Sequence, residues 1–242
     1  MLIEQSRVRK ILSRKVLQLN DILADLDMLL TEMETDYFRV CIFGSARINA
    51  ESPFYKQVYD LAVALAKEGV DIVTGGGPGL MEAANKGAKE GGMTPKAGSK
   101  ATRSIGLPID LPFETDANSH LDVKRQHRRF STRLDEFTRI SHAVVVTPGG
   151  IGTVLELFYI WQLMQVGHVR QRPVLLVGRQ KWAGLLDWLS AEPLKLQLMS
   201  QKDLEMLTIV DSVEEVVDHL QPFIREFRKK KENELVKSPT QV

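Results

Sequence analysis

The chain has 242 residues, 43% hydrophobic and 26% charged, enough to bury one sizeable core in a single α/β domain. Its 32 basic and 31 acidic residues leave a net charge of +1, which excludes the broad basic field of a nucleic-acid or anionic-membrane binder and favours a small-molecule partner. The single cysteine, Cys41, excludes an internal disulfide and a thiolate metal cluster, and its run Val40-Cys41-Ile42-Phe43 predicts a buried strand.

The chain opens on MLIEQSRVRK, where charges interrupt the apolar residues, so no secretory signal is predicted. No stretch reaches the ~18 consecutive apolar residues of a membrane span, and the expected location is the cytoplasm. From Ile3 to about Met33, apolar residues such as Val8, Ile11, Leu12, Leu19, Ile22, Leu23, Leu26, Leu30 and Met33 recur three and four apart. That spacing predicts an amphipathic helix, ~45 Å long at 1.5 Å per residue. Its stripe has two candidate partners, the parent domain and a second subunit.

After Asp36, short apolar runs alternate with helical patterns, as in a parallel sheet with crossover helices. Strands are predicted at Arg39–Phe43, Val70–Thr74, Ser104–Leu107, Ala143–Thr147, Pro173–Val177 and Met206–Val210. Helices are predicted at Phe54–Glu68, Gly79–Gly91, Leu121–Ile140, Thr153–Val166, Trp182–Ala191 and Ser212–Lys230. The expected fold is a single-domain α/β, Rossmann-like, doubly wound parallel sheet with an extra N-terminal helix. Its boundaries fall at 1–36 for the helix, 37–227 for the nucleotide-binding domain and 228–242 for a charged flexible tail. Met93 to Arg103 lacks periodicity and predicts a mobile basic loop. Phe158, Tyr159 and Trp161 recur at helical spacing, which predicts core packing in preference to base stacking.

Ligands of such sheets bind beyond the carboxyl ends of the strands. Three of those ends are glycine turns: Phe43-Gly44-Ser45-Ala46-Arg47, Thr74-Gly75-Gly76-Gly77-Pro78-Gly79-Leu80-Met81 and Thr147-Pro148-Gly149-Gly150-Ile151-Gly152-Thr153. Small residues ahead of a helix let backbone amides approach an anion, and phosphate is the obvious one. Established fingerprints do not match. Leu80 stands where a dinucleotide motif starting at Gly75 needs glycine, and there is no G-x-x-x-x-G-K-[ST] and no G-x-S-x-G. His120, His127, His142, His168 and His219 lack the spacing of a metal site, so no metal is predicted.

Pro148-Gly149-Gly150-Ile151-Gly152-Thr153-Val154-Leu155-Glu156 resembles the P-G-G-x-G-T-x-x-E motif of the LOG (LONELY GUY) family, cytokinin-activating phosphoribohydrolases long labelled lysine decarboxylases. The resemblance extends over roughly residues 39–178, through the Phe43–Arg47 turn, the Gly75–Ala84 stretch and Ser104-Ile105-Gly106-Leu107. Phe130-Ser131-Thr132-Arg133 occupies the place of the family's M-x-x-R or F-x-x-R, and Arg133 precedes Glu156 by the family's 23 residues. Leu134 stands where the family has lysine, and the Met93–Arg103 loop is longer than typical.

The resemblance implies Arg133 and Glu156 as the catalytic pair, with Gly149, Gly150, Gly152 and Thr153 on the phosphate. It implies further nucleotide contacts from Gly44, Ser45, Gly75, Gly76, Gly77, Gly79, Met81 and Phe130. The implied reaction takes AMP or an N6-modified relative, plus water, to free base and ribose 5-phosphate, with no cofactor. A homodimer or higher homo-oligomer is implied as well. With a helix starting after Thr153, Glu156 falls in its first turn, facing the ribose, where a carboxylate stabilises an oxocarbenium-like transition state or activates water.

Other readings stay open. Thr153-x-x-Glu156 also spells a helix capping box. Arg125, Arg128, Arg129 and Arg139 share the predicted helix of Arg133 and are either solvated or phosphate-binding. The family's fold also resembles molybdenum-cofactor carriers, which grip a phosphate-bearing ligand without hydrolysing it and need no Arg133–Glu156 pair. A pyridoxal-phosphate lysine decarboxylase lacks support, because no strand-end lysine is set up for a Schiff base.

Overall fold

The structure is a computed structural model, and it describes residues 9, 11–20, 22, 23, 26, 37–96, 101–110 and 117–237. The chain divides into two compact units, Met1–Asp36 and Tyr37–Val242. In the first, the described residues are helical and are called α1, in keeping with the apolar periodicity; the rest of the predicted Ile3–Met33 helix lies outside the described residues.

The second unit is built on a seven-stranded, all-parallel sheet in the order β4-β3-β2-β1-β5-β6-β7. Its strands are β1 (Arg39–Phe43), β2 (Asp71–Thr74), β3 (Ser104–Gly106), β4 (Val123–Lys124), β5 (Ala143–Val146), β6 (Val174–Val177) and β7 (Leu207–Val210). The helices are α2 (Pro53–Lys67), α3 (Leu80–Gly92), α4 (Phe130–Ile140), α5 (Ile151–Gln165), α6 (Arg179–Leu189), α7 (Gln201–Leu204) and α8 (Val213–Lys237), with a π turn at Ser190–Leu194.

Both faces of the sheet are covered, which explains why its strands are continuous apolar runs rather than alternating ones. Val40, Ile42, Ala143 and Val145 pack into a core with Leu61 and Leu65 of α2, Ala83 and Ala84 of α3, and Val216 and Leu220 of α8. Cys41, Phe43, Val144 and Val146 face the other core, with Phe137 of α4, Leu157 and Ile160 of α5 and Trp182 of α6. Cys41 is fully buried, and its thiol is pushed well up by that burial. Trp161 is a core residue as expected, its indole donating to the Asp203 carbonyl at 2.8 Å, with Phe158 packed beside it. The chain winds outward from β1 to β4, then returns to place β5 on the other side of β1. The crevice at this reversal, between the ends of β1 and β5, is where sheets of this kind bind their ligands.

Two expectations about elements change. The helix predicted from Leu121 starts only at Phe130, because residues 123–124 form the edge strand β4. Ladder bonds decide this: Asp122 N donates to Ser104 O at 2.8 Å and Arg125 N to Gly106 O at 3.0 Å, non-local partners that outweigh the helical spacing of Leu121 and its neighbours. At the other end of the chain, α8 runs to Lys237, past the predicted start of the tail at 228, through good helix formers and a Lys231–Glu234 ion pair at 3.1 Å. The rest of the tail, 238–242, lies outside the described residues. The predicted basic loop begins directly after α3, and within it Lys96 pairs with Glu68 and Arg103 with the buried Asp71 at 2.7 Å. Residues 97–100 of that loop lie outside the described residues.

Candidate active site

The strand-end turns are stitched to one another. Ser45 N donates to Pro148 O at 3.2 Å, tying the turn after β1 to the turn after β5. Leu80 N donates to Ser45 O at 2.9 Å and ties in the turn after β2. Gly79 makes that approach possible: at φ +69° its absent side chain would stand 2.5 Å from Ser45 O. A buried polar network holds the Gly75–Gly77 turn. The Thr74 hydroxyl accepts from Gly76 N at 2.9 Å and donates to Asn85 Oδ1 at 2.6 Å, while Asn85 Nδ2 donates to Ser104 Oγ at 2.9 Å. Asn118 completes it, donating from Nδ2 to Gly77 O at 3.0 Å and to Asn85 Oδ1 at 2.9 Å.

Between the turns lies a cleft of about 460 Å³, within the range of small-molecule sites. One wall is the start of α5, which opens two residues earlier than predicted. Gly150 is the cap and carries no side-chain capping bond, so the first-turn amides stand beside the cleft with the positive end of the helix dipole behind them. Thr153 is therefore the third residue of the helix and not its cap, which removes the capping-box reading. Glu156 sits in the second turn instead of the first, one step deeper than expected.

At that depth Arg133, the fourth residue of α4, meets Glu156. Arg133 Nη1 lies 3.5 Å from Glu156 Oε1, and each side chain is 12% exposed. Arg133 Nε donates to Leu107 O at 2.7 Å, and its guanidinium lies 5.1 Å from the centre of the Phe137 ring. Gly75 makes room for it, since a Cβ there would stand 2.1 Å from Arg133 Nη2 and 2.7 Å from Met81 Sδ. Burial pushes the Glu156 carboxyl up from 4.5 to about 7, with Arg133 pulling the other way. Glu136 shows the opposite balance. Burial raises it too, but hydrogen bonds from Arg139 at 2.7 Å and Arg125 at 2.6 Å hold it below the usual carboxylate value. These two arginines are thus occupied as a clamp on Glu136, and Arg125 precedes α4 rather than lying on it, as do the exposed Arg128 and Arg129.

Of the residues singled out in the sequence, Gly44, Ser45, Gly75, Gly76, Gly77, Met81, Phe130, Arg133, Gly150, Gly152, Thr153 and Glu156 all line the cleft. Gly79 and Gly149 do not. Gly79 closes the approach to Ser45, and Gly149 leaves space for the Thr153 side chain, whose Oγ1 would be 2.1 Å from an added Cβ. The cleft is also lined by Ala46, Arg47, Pro108, Ile109, Ala117, Gln126 and Ile151, which sequence reasoning did not select. Arg47 and Ile151 stand inside motifs already quoted, whereas Ala117 and Gln126 reach the cleft from irregular chain that carries no local signal.

Fold and cleft together define a doubly wound α/β protein with its cleft at the reversal of strand order and an arginine–carboxylate pair inside it. The chain belongs to the family described as possible lysine decarboxylase, which matches residues 81–220. It is similar to the pyrimidine/purine nucleotide 5′-monophosphate nucleosidase of Escherichia coli (strain K12), at 28% identity over 154 residues that make up 60% of this chain; it spans 32% of that relative's length. It is similar also to the probable cytokinin riboside 5′-monophosphate phosphoribohydrolase of Oryza sativa subsp. japonica, at 24% identity over 79% of this chain and 87% of the relative. The family expected from the sequence is therefore the family found. Among solved structures, the molybdenum cofactor binding protein of Rippkaea orientalis shares the fold, with a TM-score of 0.54 and 21% identity over 78% of this chain and 98% of that one. The molybdenum cofactor carrier protein of Chlamydomonas reinhardtii does so with a TM-score of 0.53 and 19% identity, over 77% of this chain and 97% of that one. Among the described residues, no helix is long and apolar enough to cross a membrane.

Proposed function

We propose that the chain hydrolyses the N-glycosidic bond of a nucleoside 5′-monophosphate, AMP or an N6-modified relative, releasing free base and ribose 5-phosphate. The observation that carries this reading is the Arg133–Glu156 pair, 3.5 Å apart in the cleft whose wall is the uncapped start of α5. A 5′-phosphate on the first-turn amides leaves the sugar level with Glu156, whose Cα lies ~7.5 Å along the axis from that of Ile151 at 1.5 Å per residue. Met81, Pro108, Ile109 and Phe130 supply apolar surface for the base.

Breaking the bond sends its electron pair to the base nitrogen and leaves positive charge on the sugar, which the Glu156 carboxylate stabilises. Water then bonds to the anomeric carbon and gives one proton to Glu156, and Glu156 passes that proton on, through solvent, to the base nitrogen that left, which returns it to the ionised form. Arg133 holds Glu156 in place, anchored by the Leu107 carbonyl and the Phe137 ring.

Two other family-level readings fit less well. A pyridoxal-phosphate decarboxylase needs a lysine for its Schiff base, and no lysine is among the described residues lining the cleft. A carrier has no use for a carboxylate held close to neutrality against a guanidinium.

The test is to incubate wild type and Glu156→Gln with AMP and N6-isopentenyl-AMP and follow free base by chromatography. Base release by wild type and loss of at least ~100-fold in the variant is the expected result, on the scale of removing one electrostatic or acid–base group. Silence of wild type on every nucleoside monophosphate would end the hydrolase reading.

A further inference from the structure

The cleft's described lining contains two side-chain cations, Arg133 and Arg47. Arg133 is committed to Glu156, the Leu107 carbonyl and the Phe137 ring. Arg47 is different. It is exposed at the cleft, and its guanidinium makes no hydrogen bond or ion pair with any described residue. Its backbone is nonetheless held in place. Arg47 N donates to Ser45 Oγ at 3.1 Å, and Ser45 N donates to Pro148 O, two residues before the Gly150 cap of α5. The turn carrying this unpaired cation is thus fastened to the turn that leads into the helix start.

The charge balance asks for such a group. A phosphomonoester carries about −1.5 to −2 charges at neutral pH, whereas a helix N-terminus offers the equivalent of roughly half a positive charge. No basic residue of α5 lies in its first turn to make up the difference, which is Ile151, Gly152, Thr153 and Val154. A guanidinium matches phosphate in charge and in its two-pronged donor geometry. We propose that Arg47 is the residue that reads the substrate's 5′-phosphate, so that the cleft takes phosphomonoesters and rejects free nucleosides. This rests on the hydrolase reading for its substrate but not for its binding test.

The experiment combines steady-state kinetics with calorimetry on wild type, Arg47→Ala and Arg47→Lys. Arg47→Ala raises KM for AMP about 10- to 100-fold, the ratio for losing one charge-assisted hydrogen bond, while kcat changes less than about threefold. The preference for AMP over adenosine falls by the same factor, and Arg47→Lys recovers part of the loss. Ribose 5-phosphate titrated into the same proteins binds Arg47→Ala at least about 10-fold more weakly than wild type. Because the side chain is exposed and unbonded, the melting temperature of the unliganded variants matches wild type. An unaltered KM, an unaltered ribose 5-phosphate affinity, or a fall confined to kcat overturns the proposal. If wild type cleaves no nucleotide, the hydrolase reading fails alone, and the calorimetric comparison still decides the role of Arg47.

Discussion

Replacing Glu156 by glutamine tests the electrostatics of the cleft without any substrate. In the folded protein burial raises this carboxyl from 4.5 to about 7, against the pull of Arg133. A raised carboxyl binds its proton more tightly folded than unfolded. Its contribution to stability is therefore full below pH 4.5 and is withdrawn as pH climbs through about 7. At about 1.4 kcal/mol per pH unit, the wild-type penalty relative to a permanently neutral side chain is roughly 3 kcal/mol at pH 8 and roughly 1 kcal/mol at pH 5. Glutamine keeps the shape and stays neutral throughout. The pull of Arg133 on the anion is already contained in the value of about 7, and the exchange of a neutral carboxyl for an amide is common to both pH values, so the informative quantity is the change in the variant-minus-wild-type gap, about 2 kcal/mol. For a chain of this size that is about 4–8 °C in melting temperature. Thermal melts of both proteins in phosphate-free buffer at pH 5 and pH 8 measure it. A gap that is the same at both pH values would refute the claim that Glu156 is held near neutrality.

On the proposed hydrolysis, the same carboxyl sets the pH dependence of base release. Catalysis needs the ionised form, so kcat/KM for AMP falls as pH drops below about 7, in a limb distinct from the one near pH 6 that the substrate phosphate supplies. A pH–rate profile whose only enzyme limb lies near 4.5, the ordinary carboxyl value, would show that Glu156 is not raised in the working enzyme. Gly75→Ala tests the space behind Arg133. The new methyl meets two movable side-chain atoms, Arg133 Nη2 and Met81 Sδ, so the melting temperature shifts by no more than a few degrees. The displaced guanidinium no longer meets Glu156, and kcat falls about 100-fold, as expected for a misplacement near 1 Å. Activity close to wild type in this variant would mean that the arginine's position is not critical.

Much of the architecture was legible along the chain because it rests on local patterns. The apolar runs at Arg39–Phe43, Ala143–Val146 and Val174–Val177 are continuous since both faces of those strands are buried, and the glycine turns after β1, β2 and β5 mark the ends where a ligand can sit. The motif around Gly150 and the spacing from Arg133 to Glu156 were likewise visible as residue types at fixed separations. What the chain order could not express is anything decided by partners distant in sequence. The edge strand Val123–Lys124 exists through bonds to Ser104 and Gly106, so its two residues carry no period of their own. Motif spacing singles out Arg133, but the physical difference from Arg125 and Arg139 arises in packing, where the latter two pair with Glu136 and Arg133 meets Glu156. The carboxyl of Glu156 owes its raised proton affinity to the helices and strands that exclude water from it, a property of enclosure that no residue possesses before the chain folds.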